Sequence, residues 1–166
     1  FFSTSGSEAN ETAFKIARQY HLQTAPAGAG ARYKIISRYR GYHGTTLGAL
    51  SATAQAERKT KFGPLVPGFL HVNPPYYYRF GKEQSEAAYN ESLLQELEQT
   101  ILYEGADTVA ALIVEPVISG GGVIPPTEGY LKGVREICDR TGILLIFDEV
   151  VNAFGRTGRM FGHQHW

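Results

Sequence analysis

The sequence predicts one α/β domain with a mostly parallel sheet flanked by helices. Two continuous apolar runs, 109–114 and 143–147, are typical of parallel strands that are covered on both faces. Segments with helical periodicity separate the candidate strands, and this alternation favours crossover connections within one sheet. The length of 166 residues suits a single unit, which we expect to span 1–166.

The first half of the chain predicts two helices and one or two strands. Small or apolar residues recur at helical spacing from Ala9 to Tyr20, which indicates an amphipathic helix. The expected elements, in order, are a helix at 7–20, a strand at 33–37, a turn at 41–44, a helix of small residues at 45–56, and a mostly irregular segment at 61–75 with a possible strand at 69–72.

The second half predicts two further helices, each followed by one of the apolar strands. Leu93, Leu97 and Ile101 share one face of a helix at 85–103. A helix at 127–140 is expected to be capped by Thr127 and to end at Gly142. The two apolar strands then lie at 109–114 and 143–147.

Charge and composition exclude several classes of protein. The 16 Lys and Arg residues balance 16 Asp and Glu, and no basic block is present, which argues against a nucleic-acid binder. No apolar run approaches the ~20 residues that cross a bilayer, so no membrane partner is expected. With one cysteine and no leader-like segment, we expect a cytoplasmic protein.

The segment 5–11 is the first candidate site. Ser5 and Glu8 have the spacing of a capping box at a helix start. Gly6 lacks a Cβ, so an anion such as a phosphate could approach the free backbone N–H groups of the first turn. Both a plain helix cap and a phosphate site fit this pattern.

The second candidate is the turn 41–46, where Tyr42 and His43 stand between two glycines. Such a turn could lay the Tyr42 ring against a planar ligand. The alternative is an ordinary surface aromatic next to a histidine with no ligand.

Two carboxylates follow the two apolar strands. Glu115 comes directly after 109–114, and Asp148 directly after 143–147. Ligands of such sheets bind beyond the carboxyl ends of the strands. A carboxylate beside apolar neighbours is costly without a partner, so Asp148 needs a cation, an arginine or a backbone N–H group.

Taken in order, these segments resemble the class III (ω-) aminotransferases, pyridoxal-phosphate enzymes with the aspartate-aminotransferase fold (fold type I). The matching segments spread over nearly the whole chain: Ser-Gly-Ser-Glu-Ala-Asn-Glu at 5–11, Tyr-His-Gly-Thr-Thr-Leu-Gly-Ala at 42–49, Glu-Pro-Val at 115–117, Asp-Glu-Val at 148–150 and Phe-Gly-Arg-Thr-Gly at 154–158.

The resemblance implies a role for each candidate residue. Gly6 and Ser7 would hold the cofactor phosphate, with Ser5 close by. Tyr42 and Val150 would cover opposite faces of the pyridine ring, and His43 and Glu115 would lie near the ring and the substrate. Asp148 is the implied catalytic residue, because it would pair with the protonated ring nitrogen and keep the cofactor an electron sink.

The resemblance also implies parts that this sequence lacks. The lysine that bonds to the cofactor in this family lies downstream of Asp-Glu-Val, whereas all six lysines here precede Asp148. We therefore expect a partial large domain of a longer, homodimeric aminotransferase with amine and keto-acid substrates, and an isolated chain without activity. Turnover by that chain, or a borohydride-stable cofactor adduct at one lysine, would contradict this expectation.

Other functions stay open at this stage. A nucleotide-binding dehydrogenase would have a Gly-x-Gly-x-x-Gly motif where Ser-Gly-Ser-Glu stands. A non-catalytic module derived from the enzyme, or an aminomutase or decarboxylase relative, would keep the same motifs. The segment 74–79, Pro-Pro-Tyr-Tyr-Tyr-Arg, resembles the branch that passes ω-amino groups to pyruvate.

Overall fold

The computed structural model describes all residues from Phe1 to Trp166. Its sheet has four parallel strands, β1 (Lys34–Arg38), β2 (Phe69–Val72), β3 (Val109–Val114) and β4 (Leu144–Phe147), in the spatial order β2-β1-β3-β4. The chain thus adds β2 on one side of β1 and β3 on the other. This reversal places a switch point between the carboxyl ends of β1 and β3, where α/β sheets bind ligands.

Helices cover both faces of the sheet. They are α1 (Gly6–Thr24), α2 (Leu47–Ala52), α3 (Ala56–Lys59), α4 (Tyr77–Phe80), α5 (Glu86–Glu104), α6 (Tyr130–Thr141) and a 3₁₀ turn at Gly162–His165. None of these helices is long and apolar enough to cross a membrane.

The two faces of the sheet carry separate apolar clusters because neighbouring strand residues point in opposite directions. Leu112 and Val114 pack with α5 and α6 in a cluster of 15 buried residues. Ala111 and Ile113 pack with α1 and α2 in a smaller cluster of 7. The expectation of a doubly covered strand at 109–114 is therefore confirmed residue for residue.

The expected helix at 45–56 is wrong in its extent. The chain forms two short helices, α2 and α3, separated by extended residues at 53–55. The Thr53 hydroxyl donates to the Ala49 and Gly44 carbonyls and accepts from the His43 N–H group. Thr53 therefore ties the end of α2 to the Tyr42–His43 turn instead of continuing the helix.

The expected cap at Thr127 is also wrong. The helix begins at Tyr130 after Gly129, whose left-handed backbone (φ 80°) serves as the N-cap. The Thr127 hydroxyl donates to the Asn90 side chain at 3.0 Å instead. The expected end at Gly142 is confirmed, because this residue also adopts the left-handed conformation, at φ 70°.

Two short elements and one burial pattern were not expected. The sequence patterns do not mark α4 or the 3₁₀ turn at 162–165, which are both four residues long. The four β4 residues are half-buried, unlike the fully buried β3, because β4 forms the edge of this sheet.

Candidate active site

One cavity of about 320 Å³ opens beside the carboxyl ends of β1 and β3. All eight residues predicted from the sequence line it: Ser5, Gly6, Ser7, Tyr42, His43, Glu115, Asp148 and Val150. Four further residues complete the lining: Asn10, Gly44, Gly120 and Val151. The volume is within the range of small-molecule and cofactor sites.

Asp148 lies at the floor of this cavity, 7% exposed, just past the end of β4. Its Oδ2 accepts hydrogen bonds from His43 Nδ1 and from Asn10 Nδ2, both at 2.9 Å. Its Oδ1 accepts the Val150 N–H at 3.2 Å. No arginine pairs with Asp148, so of the two protein partners considered from the sequence only the backbone N–H is present.

The surroundings keep Asp148 ionised. Burial alone would raise the pKa of this carboxyl, but the hydrogen bond and the charge of His43, with the Asn10 and Val150 donors, outweigh burial and lower it. An ionised carboxylate only accepts hydrogen bonds, so Nδ1 of His43 is the donor in this contact. Asp148 can therefore accept a further N–H from a ligand in the cavity.

Asn10 is a site residue that the motif analysis left without a role. Its amide nitrogen donates to the His43 carbonyl at 2.7 Å as well as to Asp148. The residue is buried on the same face of α1 as Phe14 and Ala17. A polar residue within a stripe of buried helix positions is the signal that could have identified it.

Replacing Asn10 with alanine is expected to lower the free energy of unfolding by about 2 kcal/mol. The change removes one bond to a charged group and leaves the buried His43 carbonyl without this donor. Urea unfolding of the purified protein measures the loss. Gln19→Ala, at an exposed position of the same helix, is the control and should change stability little; equal losses in the two variants would contradict the prediction.

The start of α1 presents two free backbone donors to the cavity. Ser5 caps the helix by accepting the Glu8 N–H at 3.3 Å, and its carbonyl accepts the Ala9 N–H. The Gly6 and Ser7 N–H groups precede the first intrahelical bond and have no helical partner. The capping box forms only in part, because Glu8 accepts from the Thr4 backbone and hydroxyl instead of the Ser5 backbone.

Side chains of α1 also hold the turn that carries Tyr42. Ser7 Oγ accepts the Thr45 N–H at 3.0 Å. One turn further along, Glu11 Oε1 accepts the Gly48 N–H at 2.8 Å and the Thr46 hydroxyl at 2.6 Å. Glu11 thereby caps α2 from a neighbouring helix, a role that the local sequence of α2 does not reveal.

Tyr42 is stacked on one face by a cation. The Arg58 guanidinium carbon lies 4.7 Å from the centroid of the Tyr42 ring. Arg58 is itself held by a bond from Nε to Gln55 Oε1 at 2.6 Å. This packing orients an aromatic ring that also lines the cavity.

Glu115 organises the loops around the cavity. Its two carboxylate oxygens accept the Tyr42 and Ser119 N–H groups, each at 3.0 Å. Burial raises the pKa of Glu115, and these hydrogen bonds only partly offset that effect. The structure thus gives Glu115 a positioning task for the turn that holds Tyr42.

Val150 lies opposite the start of α1 and is 71% exposed. A Cβ on Gly6 would stand only 2.7 Å from Val150 Cγ2. The absent side chain at Gly6 therefore leaves the cavity open between the helix start and Val150.

These features define an α/β cofactor-binding domain whose site joins a helix start, a stacked aromatic ring and a buried carboxylate at the switch point of the sheet. The chain belongs to the class III aminotransferases, because the model of that family matches residues 1–166.

Related proteins support this assignment along the whole chain. The aminotransferase YhxA of Bacillus subtilis is 57% identical over 166 residues, and the taurine–pyruvate aminotransferase of Bilophila wadsworthia is 47% identical over the same length. The match covers 100% of this chain but 35% and 36% of those proteins. The chain thus spans about a third of the length of these relatives.

Solved structures agree on the fold. An (S)-enantioselective ω-transaminase from Thermomicrobium roseum superposes with a TM-score of 0.94 at 47% identity, over 99% of this chain and 36% of that one. The ω-transaminase of Pseudomonas jessenii in complex with PMP gives 0.93 at 44% identity, over 99% and 36%. The fold is therefore that of the aspartate-aminotransferase-like, fold type I enzymes, of which this chain forms part.

Proposed function

We propose that this chain supplies part of the cofactor site of a pyridoxal-phosphate-dependent aminotransferase. The full-length protein would transfer an amino group from an amine or ω-amino acid to a keto acid such as pyruvate. The observation that carries the proposal is the ionised Asp148, buried and fixed by two side chains in the same cavity as the free N–H groups of α1.

The residues present fit the cofactor. Gly6 and Ser7 N–H groups would hold its phosphate, since a helix start favours an anion. Asp148 would hold a proton on the pyridine nitrogen, Tyr42 would cover one ring face, and Val150 would cover the other. When bound, pyridoxal phosphate supplies the electron sink that amino-group exchange requires.

His43 and Glu115 would hold Asp148 and Tyr42 in place. His43 is 2% exposed and donates to Asp148, so its task is to orient that carboxylate. Glu115 holds the backbone of Tyr42 through its N–H group. His43 would therefore act on the pyridine ring through Asp148, and Glu115 would act on it through Tyr42. These roles are less direct than the positions near the ring and the substrate that the resemblance implies.

Replacing Tyr42 with leucine is expected to weaken binding of pyridoxal phosphate by up to about tenfold. An aromatic stack contributes roughly 0.5–1.5 kcal/mol beyond the buried area, and leucine removes it. The dissociation constant, measured by cofactor absorbance on the full-length protein, reports the loss. Tyr42→Phe keeps the ring and should bind normally, so an equal loss in that variant would contradict stacking.

The proposed activity is tested on the full-length protein loaded with pyridoxal phosphate. Taurine and pyruvate are the first substrates to try, because a relative with 47% identity is a taurine–pyruvate aminotransferase. Formation of alanine is the expected result. Cofactor binding without amino transfer to any of several keto acids would favour the aminomutase or decarboxylase alternative, and absence of cofactor binding would favour a non-catalytic module.

The remaining expectations are part of the same proposal. The isolated chain should not turn over, because none of its lysines follows Asp148. The full-length protein is expected to be a homodimer in the cytoplasm. Sedimentation of the full-length protein tests the dimer, and a monomer with full activity would contradict it.

A further inference from the structure

Asp148 has one acceptor site left once its hydrogen bonds within the chain are counted. A carboxylate offers about four lone-pair sites, half of them on each oxygen. Oδ2 accepts from His43 Nδ1 and from Asn10 Nδ2, both at 2.9 Å, so both of its sites are in use. Oδ1 accepts the Val150 N–H group at 3.2 Å. The remaining acceptor site is therefore on Oδ1, in a residue that lines the cavity.

Asn10 is the residue that fills the second site on Oδ2. His43 alone would leave one lone pair of this oxygen open. The Asn10 amide cannot be turned the other way round, because the atom that contacts Oδ2 also contacts the His43 carbonyl oxygen, at 2.7 Å, and both of these oxygens only accept hydrogen bonds. The contacting atom is thus the amide nitrogen, and both of its N–H bonds are used.

The position of Asn10 on α1 fixes this amide relative to the helix start. Asn10 is buried and follows Gly6 and Ser7 by about one helical turn, so these residues share a side of α1 and line the same cavity. The end of the Asn10 side chain bonds to two other segments, the turn at His43 and the residue Asp148. Asn10 therefore holds the carboxylate in one orientation relative to the free N–H groups of α1.

Donors on Oδ2 also determine how strongly the carboxylate attracts a proton. A proton between a ring nitrogen and Oδ1 of Asp148 can sit on the nitrogen, which gives an ion pair, or on Oδ1, which gives a neutral pair. A hydrogen bond to the charged carboxylate favours its ionised form and hence the ion pair. Loss of one such donor shifts the ratio of ion pair to neutral pair by about tenfold toward the neutral pair.

We propose that Asn10 is a positioning residue that keeps the shared proton on the pyridine nitrogen of the cofactor and off Asp148. The inference rests on the function proposed above and gives Asn10 a task that none of the motifs indicates. Asn10 acts through Asp148, because it fills Oδ2, leaves Oδ1 for the ring nitrogen and stabilises the negative charge of the carboxylate. The proton moves between these two atoms alone, so no further reactant takes part.

The full-length protein, saturated with pyridoxal phosphate that carries ¹⁵N in the ring, tests this role. The ¹⁵N chemical shift, measured by solid-state NMR at neutral pH, reports whether the ring nitrogen is protonated. The unaltered protein is expected to give the shift of a protonated pyridine. Asn10→Leu keeps the approximate size of the side chain but has no N–H group, so the shift should move toward that of an unprotonated pyridine. A loss of stability alone does not change this shift in the saturated protein.

Thr53→Val is the matched control. Thr53 is fully buried beside the same turn, and its hydroxyl bonds to the His43 N–H group and to two carbonyl groups but not to Asp148. This variant should lower the free energy of unfolding and leave the ring ¹⁵N shift unchanged. Asn10→Ala, which has a smaller side chain, takes the place of Asn10→Leu if the latter does not fold.

The outcomes separate this inference from the proposed function. An unchanged ¹⁵N shift in a folded Asn10 variant that binds the cofactor would overturn the role of Asn10 and leave the proposed function standing. An equal change of the shift in Thr53→Val would also overturn it, because any disturbance of the turn would then have the same effect. Failure of the unaltered full-length protein to bind pyridoxal phosphate would overturn the proposed function, and this inference with it.

Discussion

Replacing Asp148 with asparagine in the full-length protein is expected to lower the rate of amino transfer by on the order of 10³. Asparagine keeps the shape of the side chain but loses the charge that would hold a proton on the pyridine nitrogen. An ion pair at ~4 Å with an effective dielectric near 20 contributes about 4 kcal/mol, which corresponds to this factor. Steady-state kinetics with saturating cofactor measure it.

The control for this variant is Asp139→Asn. Asp139 is an exposed carboxylate paired with Arg135 on α6, outside the cavity, so its removal should leave the rate unchanged. The asparagine oxygen can take the place of Asp148 Oδ2 and accept from His43 and Asn10, so that only the bond from the Val150 N–H group is lost. Near-normal activity of Asp148→Asn would refute the role proposed for this carboxylate.

The second large effect is expected from Gly44→Ala. Gly44 has φ 132°, a conformation that side chains rarely adopt and that costs a residue other than glycine roughly 1–3 kcal/mol. Its new Cβ would stand 2.4 Å from Ser7 Oγ and 2.9 Å from the Ala49 Cβ. The turn must therefore move away from the start of α1, which would shift Tyr42 relative to Ser7 in the lining of the cavity.

We expect Gly44→Ala to weaken binding of pyridoxal phosphate by about 10²-fold, since each 1.4 kcal/mol is a factor of ten. Equilibrium titration of the apo form of the full-length protein gives the dissociation constant. Gly30→Ala is the control, because its Cβ would have no atom within 4 Å and its φ is not left-handed. An unchanged dissociation constant in Gly44→Ala would show that the contact between α1 and the turn does not shape the site.

Long regular elements could be predicted from the sequence, whereas short ones could not. Strand 109–114 and the helix around 86–104 carry strong patterns, because burial on two faces or on one stripe repeats over several residues. The four-residue α4 has no such repeat, and the break between α2 and α3 depends on Thr53 bonding to a turn ten residues earlier in the chain. A helix of four residues has little stability of its own, so tertiary contacts determine whether it forms.

Eight of the twelve cavity residues were predictable because they stand in short motifs at strand ends and helix starts, which parallel topology collects at one edge. The motifs did not show which side chains hold Asp148 and the start of α2 in place. Asn10 donates to Asp148 across 138 positions, and Glu11 caps α2 across 37. Separations this long along the chain leave no pattern among neighbouring residues, so the motifs could not predict these contacts.

The sequence by itself determined the fold class, the family and eight of the twelve residues around the cavity, because periodicity and motif order are properties of neighbouring positions. Only the tertiary structure decided that His43 and Asn10 share one oxygen of Asp148 and that Arg58 stacks on Tyr42. The physical reason is that hydrogen bonding and desolvation depend on which atoms meet in space, and distant segments meet only once the sheet has formed.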